Sequence, residues 1–406
     1  MKLLFLSHEI PSPAVSDLSV HYHHIRDLSK LYGHNITVIS FASERSSIQD
    51  LEHLKSFCSI EDTVKMKRQF MKLPVIVAKN GIHNLPKNIK HGLLVNELDY
   101  FYDRRMEQKI QEAVKKDTFD LILSTRHMAN YVVDIDVPKI VCPLDAMFEQ
   151  RRQVFVNSEG LQRAIYGLRY VLNRSHEKHI YEAFDACLVV TQQDKMLLES
   201  LNPRIHCVVV PVGVDVAHFS PIDRIEEPSS LVFVSAFQYP PQVANVLHFY
   251  NEIFPLIRKK NPEVKLYLVG RDPVKEVVDL SADPSVFVTG YVEDVRPYLE
   301  KSTVFVAPII LGTGMKTKVV EAMSMGKAIV TTTLGVQGIA VKNKKHVVVA
   351  DNPNEFARAT ISLLKDQQAR ATLGANARKL VEERYSWETM AKALNESLYK
   401  VLSQRG

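Results

Sequence analysis

Short, unbroken apolar runs recur along this chain, each separated from the next by a segment with helical spacing. In the first half they fall at 2–7, 35–41, 119–124, 139–142, 186–190 and 207–210. In the second half they fall at 231–235, 265–269, 286–289, 304–307, 328–331 and 347–349. Few of them alternate apolar with polar residues. A half-buried antiparallel strand alternates, whereas a strand of a parallel sheet covered by helices on both faces does not. Between the first two runs, Leu18, Tyr22, Ile25, Leu28 and Leu31 keep helical spacing. Asp17 suits the N-cap of that helix and Gly33 its stop. The order strand, helix, strand, helix therefore predicts an α/β fold built from doubly wound parallel sheets.

At 406 residues the chain is too long for one core. Residues 211–230 contain Pro211, Gly213, Pro221 and Pro228 and read as a linker. The expected division is a first Rossmann-like domain at 1–210, the linker, a second such domain at 231–384, and a closing helix at 385–406. Open parallel sheets bind ligands outside the carboxyl ends of their strands, which predicts a cleft between the two sheets. The stretch 69–90 is less regular and reads as a mobile insertion.

The run 304–307 leads into Leu311-Gly312-Thr313-Gly314-Met315-Lys316-Thr317-Lys318 and then a helical segment containing Glu321. A glycine turn feeding a helix start presents unpaired N–H groups and the positive end of the helix dipole, an anion site. Lys316 and Lys318 add mobile cations. Glu321, a turn further in, suits a pair of hydroxyls such as those of a ribose. A nucleoside diphosphate fits this arrangement. The plainer alternative is a solvated helix start with Glu321 paired to Lys318 at i, i+3.

Other function classes are disfavoured. No Gly-x-Ser-x-Gly elbow, Walker loop or dinucleotide fingerprint is present. Cys58, Cys142, Cys187 and Cys207 are widely spaced and predict reduced thiols, not zinc or disulfides. His21, His23 and His24 cluster without a completing acid or cysteine, and a surface or packing role is expected. The apolar opening is too short for a signal peptide, and no run approaches the roughly 18 to 20 apolar residues of a spanning helix. A cytoplasmic location is expected. The net charge is +5, unevenly spread. Lys67, Arg68, Lys72, Lys79, Lys87, Lys90, Arg104 and Arg105 are followed by Arg151, Arg152, Arg163, Arg169 and Arg174. This basic first half is either a solvated face or a surface for anionic lipid head groups or a phosphorylated acceptor, with peripheral contact at the inner face of a membrane. No nucleic-acid motif accompanies it.

Val210-Pro211-Val212-Gly213-Val214-Asp215, then Leu268-Val269-Gly270, Thr289-Gly290-Tyr291, 312–326, 335–338 and Tyr385-Ser386-Trp387 together resemble the retaining glycosyltransferases of family 4, which have the GT-B fold. The resemblance spans nearly the whole chain, is densest in the second half, and points to the exopolysaccharide-type branch. It implies transfer of a hexose from a nucleotide diphosphate sugar to a hydroxyl acceptor, a glycan, glycolipid or polysaccharide precursor, with no cofactor and no metal. It implies that Glu321 binds the ribose and that Tyr291 and Val292 follow the strand whose main chain reads the base. Gly312, Gly314, Met315 and Lys316 then lie at the phosphates, and His127 touches the transferred sugar. Lys316 and His127 are the catalytic candidates, with Thr313 and Lys318 at the sugar and the diphosphate.

The chain departs from the family pattern at four places. Thr313 stands where a second glutamate is usual. The stretch 235–241 lacks the Arg and Lys that usually grip the diphosphate. The loop 11–19 lacks a glycine pair, and Val212 replaces a common Asn. An alternative reading is therefore a degenerate module that binds a nucleotide sugar or glycan in support of a partner enzyme. A third is a sugar epimerase of the same fold.

Overall fold

In this computed structural model, residues 1–13, 16–42, 48–61, 63–65, 103–222 and 225–405 are described. The expected insertion at 69–90 and the basic residues Lys67, Arg68, Lys72, Lys79, Lys87 and Lys90 lie outside them. The chain forms two units, Met1–Val210 with Ala391–Gly406, and Pro211–Met390.

The first unit holds β1 (Lys2–Ser7), β2 (Asn35–Ala42), β3 (Ser59–Ile60), β4 (Val64–Lys65), β5 (Leu121–Thr125), β6 (Lys139–Leu144), β7 (Ala186–Val189) and β8 (Cys207–Val209). All pair in parallel, in the order β3-β2-β1-β5-β6-β7-β8, with β4 also on β2. Leu3, Leu4, Phe5 and Leu6 of β1 are all buried. Successive side chains of a strand point to opposite faces, so such a run survives only where both faces are covered. The helix Ser16–Lys30 crosses from β1 to β2, and Gly33 ends it at φ 67°. It starts at Ser16, so Asp17 lies in its first turn and not at the cap, and the Asp17 side chain is outside the described residues.

The second unit holds β9 (Glu227–Val234), β10 (Lys265–Val269), β11 (Val286–Val288), β12 (Ser302–Ala307), β13 (Ile329–Thr331) and β14 (Val348–Val349). They too are all parallel, in the order β11-β10-β9-β12-β13-β14. In each sheet the winding reverses once, between β1 and β5 and between β9 and β12. These are the topological switch points, where loops leaving two neighbouring strands diverge and open a crevice.

Both sheets carry the expected strands, with shifted ends. β9 begins at Glu227, so 227–230, assigned above to the linker, are strand. Their polar side chains are satisfied across the sheet. Lys265 Nζ and Tyr267 Oη donate to the Glu227 carboxylate at 2.6 Å each, and Thr303 N donates to Ser230 Oγ at 3.0 Å. Ser302 and Thr303 extend β12, and Thr303 Oγ1 donates to Glu227 O at 2.8 Å. The two-residue strands β3 and β4 were too short to expect.

The remaining linker residues are built into the second unit. Val214 N donates to Tyr385 O at 2.7 Å, and Val214 bridges Ser386. A Cβ on Gly213 would lie 2.6 Å from the Trp387 ring, so the residue at 213 must be glycine for the chain to pass this close. The tail helix Trp387–Arg405 begins there and ends in the first unit. In that unit Leu394, Leu398 and Val401 are buried, and His34 Nε2 bonds Asn395 Oδ1 at 2.7 Å.

Candidate functional site

β12 is buried along its whole length, and the chain leaving it turns at Gly312 and Gly314 into the helix Thr317–Ser324. Gly312 has φ 134° and Gly314 φ 66°, both in the region that side chains with a Cβ avoid. No side chain caps the helix that follows. Its first N–H groups and dipole therefore remain available to an anion. Lys316, at the N-cap position, folds over the turn, and its Nζ donates to Thr313 O at 2.8 Å and Gly314 O at 2.7 Å. Met315 is buried beneath, and Thr313 is half-buried.

What holds this turn in place is a residue the sequence reading missed. Asn245, fully buried on the helix Pro240–His248, accepts from Ile310 N at 2.9 Å and Leu311 N at 3.0 Å and donates to Leu311 O at 3.1 Å. That helix follows β9, so the two loops diverging at the switch point are clamped to each other. Thr332 Oγ1 adds a bond to Ile309 O at 2.6 Å, and Thr331 Oγ1 one to Ala307 O at 3.0 Å. The available signal was a pair of amides, Gln242 and Asn245, three residues apart on one helix face. The 235–241 loop, which lacks cations, is also ordered by an amide, with Ser235 Oγ donating to Gln242 Oε1 at 2.8 Å.

Glu321 is one turn into the helix and only 14% exposed, and both its oxygens accept from Lys318 Nζ, at 2.8 and 2.9 Å. The i, i+3 pair anticipated as the plainer reading is thus formed. It does not exhaust the carboxylate, which has about four acceptor positions. Tyr291 and Val292 follow β11, on the same carboxyl edge of the sheet but two strands from β9. Tyr291 is 73% exposed.

The sequence-derived residues therefore fall into two groups. Gly312, Thr313, Gly314, Met315, Lys316, Lys318 and Glu321 come together on one turn and helix start, with Tyr291 and Val292 along the same edge. His127 belongs to the other unit, just after β5 at the switch point of that sheet. Its ring lies 4.1 Å from that of His8, which leaves β1 at the same point and was not singled out from the sequence. Burial above all, then the neighbouring His8, holds the His127 pKa well below the ordinary value, so it is a neutral imidazole. His21, His23 and His24 are buried on the helix Ser16–Lys30. Among the described residues, no three His, Cys, Asp or Glu are grouped to hold a metal ion.

Near this histidine pair a buried carboxyl gives a pH-dependent expectation. Glu177 accepts from Phe148 N at 3.3 Å, yet burial pushes its pKa up to about 8. In the unfolded chain it titrates near the usual carboxylate value, so the folded state binds the extra proton between roughly pH 4.5 and 8. Stability from this group is full below that window and lost as pH rises through it. Glu177→Gln should leave the melting temperature nearly unchanged at pH 5 and raise it at pH 9, by on the order of a few kcal/mol of unfolding free energy. Equal shifts at both pH values would disprove the assignment.

With this geometry in view, the comparisons with known proteins are informative. Residues 228–366 match the family described as Glycosyl transferases group 1. The chain is 19% identical to an uncharacterized 44.6 kDa protein in the cps region of Klebsiella pneumoniae, over 98% of this chain and 99% of that one. It is 27% identical to a phosphatidyl-myo-inositol mannosyltransferase of Mycolicibacterium smegmatis, over 49% of this chain and 53% of the relative. Among solved structures, it resembles the sucrose-phosphate synthase of Thermosynechococcus elongatus, with TM-score 0.71, 15% identity and full coverage of both chains. It also resembles Anabaena HepE, solved with UDP and glucose, with TM-score 0.66, 14% identity and 98% and 99% coverage. The fold is GT-B. The second unit carries a Glycosyl transferases group 1 domain, and family and fold together support a transferase.

Proposed function

We propose that this protein moves a hexosyl group from a nucleoside diphosphate sugar to a hydroxyl acceptor on a glycan, glycolipid or polysaccharide precursor, with retention of anomeric configuration and without a metal. The observation that carries this reading is the glycine turn. Two residues at positive φ and an uncapped helix start sit at a switch point, clamped there by Asn245.

In this reading the N–H groups of Gly314, Met315 and Lys316 meet the diphosphate. The chemical step builds charge on the leaving phosphate, and donors fixed in advance stabilise that charge without reorganising. Lys316 exchanges its bonds to Thr313 O and Gly314 O for the phosphate. Lys318 holds the Glu321 carboxylate in place, and the remaining acceptor positions of the carboxylate take the ribose hydroxyls. The main chain at Tyr291 and Val292 reads the base. His127, held neutral, is the residue assigned to the transferred sugar by the family resemblance. The leaving phosphate helps deprotonate the acceptor, so no protein nucleophile is required. The solved structure of HepE with UDP and glucose supports a uridine nucleotide as the first donor to try.

The test is a thermal-shift screen against UDP, GDP, ADP and their common sugars. A ligand at 100 times its dissociation constant should add about 2.7 kcal/mol to the unfolding free energy, a rise of several degrees. Glu321→Ala removes hydrogen bonds to a charged acceptor and should weaken binding by roughly 10- to 100-fold. Unchanged nucleotide affinity in that variant would remove Glu321 from the ribose site. Thr313 in place of an acid and the cation-free 235–241 loop favour a second reading, a binding module without turnover. Tight donor binding with no product over a broad acceptor panel would select it.

A further inference from the structure

The amino-terminal edge of the second sheet, away from the glycine turn, encloses two cations that one carboxylate only partly satisfies. Gly326, at φ 67°, follows the helix Thr317–Ser324. The helix Gln367–Arg384 crosses that residue so closely that a Cβ on Gly374 would lie 1.9 Å from Gly326 O. The crossing brings the first turn of the long helix over the starts of β12 and β13. A cavity of about 140 Å³ remains there, lined by Glu226, Thr303, Gly326, Lys327, Gln367 and Arg370.

The side chain of Lys327 is only 7% exposed. Its Nζ donates to Glu300 O at 3.2 Å and lies 3.5 Å from Glu226 Oε1. Burial lowers its pKa although the carboxylates of Glu226 and Glu300 act against the shift, so the protein supplies less negative charge here than the ammonium can use. The Glu300 carboxylate is engaged elsewhere, accepting from Ile222 N at 3.2 Å. Arg370 is 13% exposed. Its Nη1 closes the end of the helix Pro353–Lys365 by donating to Leu363 O at 2.9 Å, and its Nη2 donates to Glu226 Oε2 at 2.9 Å. Its Nε is buried and has no partner. Nε and Nη2 form the guanidinium edge that matches two oxygens of a carboxylate or phosphate at once. Glu226 uses one nitrogen of that edge, and at 38% exposed it also reaches water.

We infer that this cavity is a second anion site, which takes one tetrahedral oxyanion of the size of inorganic phosphate. Glu226 is its stand-in and turns to solvent when the ion enters. The ion then spans both nitrogens of the Arg370 edge and the Lys327 ammonium, against a local charge of two cations. A cavity of about 150 Å³ admits a benzene-sized molecule, so a five-atom ion fits and a hexose phosphate does not. The site lies at the opposite edge of the sheet from the glycine turn and is tested without nucleotide, so either reading can fail alone.

The experiment follows the melting temperature of the full-length protein against sodium phosphate at pH 7, with sodium chloride at matched ionic strength. Phosphate should raise it saturably, by several degrees, and chloride should not. Lys316→Ala removes the cation of the glycine turn and should leave the rise intact. Arg370→Gln removes hydrogen bonds to a charged acceptor and should weaken phosphate at least about tenfold. If that variant melts early, Arg370→Lys keeps the charge without the paired nitrogens and should still bind phosphate more weakly than the parent. Glu226→Gln removes the competing charge and should tighten phosphate by about fivefold or more. A Glu226→Gln protein that is destabilised and that phosphate does not restore would make Glu226 a structural clamp and overturn the inference. So would a phosphate effect no larger than that of chloride, or one that disappears in Lys316→Ala and survives in Arg370→Gln, which would assign it to the glycine turn. Glucose 6-phosphate should bind more weakly than phosphate, and equal or tighter binding would overturn the free ion as the occupant.

Discussion

Lys316→Ala should lower turnover by roughly 10²- to 10³-fold, the loss typical of removing one preorganised donor at a developing oxyanion. The lysine is the cation closest to the glycine turn, since its Nζ already rests on the carbonyls of Thr313 and Gly314. Lys318 cannot replace it while bound to Glu321 at 2.8 and 2.9 Å. Charge on the leaving phosphate grows toward the transition state, so the loss should appear mainly in kcat and less in KM. Folding should lose on the order of 1–3 kcal/mol at most, because of the two carbonyls released Thr313 O is on a half-buried residue that water can reach and Gly314 O is on a buried one. Steady-state kinetics on the best donor in the nucleotide screen would measure this. A loss confined to KM would make Lys316 a ground-state binding residue, and full activity would remove it from the chemistry.

Asn245→Ala should have the largest effect on stability among the residues around the site. The amide satisfies two backbone N–H groups and one carbonyl of the segment leaving β12, all from a fully buried position. A buried partner left without its bond costs about 1–3 kcal/mol, so the loss should total roughly 2–5 kcal/mol, with partial hydration lowering it. Denaturant unfolding would measure this. Because Asn245 positions Gly312 and Gly314, donor affinity should fall in the same variant although the side chain lies beneath the turn. A loss below about 0.5 kcal/mol would mean that the loop holds its shape without the clamp.

The sheets were legible because parallel strands buried on both faces write themselves as unbroken apolar runs, as Leu3–Leu6 of β1 does. Polar strand starts were not legible. Glu227–Ser230 looks like linker until Lys265, Tyr267 and Thr303 are seen beside it, and those partners are far away in sequence. The glycine turn was visible because two glycines and a lysine after an apolar run form a local pattern. Its support was invisible because Asn245 acts across 65 residues of chain on the loop at Ile310. His127 could be placed after its strand, but the ring of His8 beside it depends on β1 and β5 pairing in register, which only the fold supplies. At Glu321 both sequence readings survive together, since the ion pair with Lys318 forms and still leaves acceptor capacity.

The central claim is that the turn at 312–316 is a diphosphate site. The most direct test is calorimetric titration of UDP against uridine, with GDP against guanosine and ADP against adenosine in parallel, on the parent protein and on Gly314→Val. One diphosphate should bind at least about 100-fold tighter than its nucleoside, which is about 2.7 kcal/mol carried by the phosphates. That advantage should vanish in Gly314→Val, where a β-branched residue cannot hold φ 66°. Equal affinity for nucleoside and diphosphate, or an advantage that survives the substitution, would contradict it.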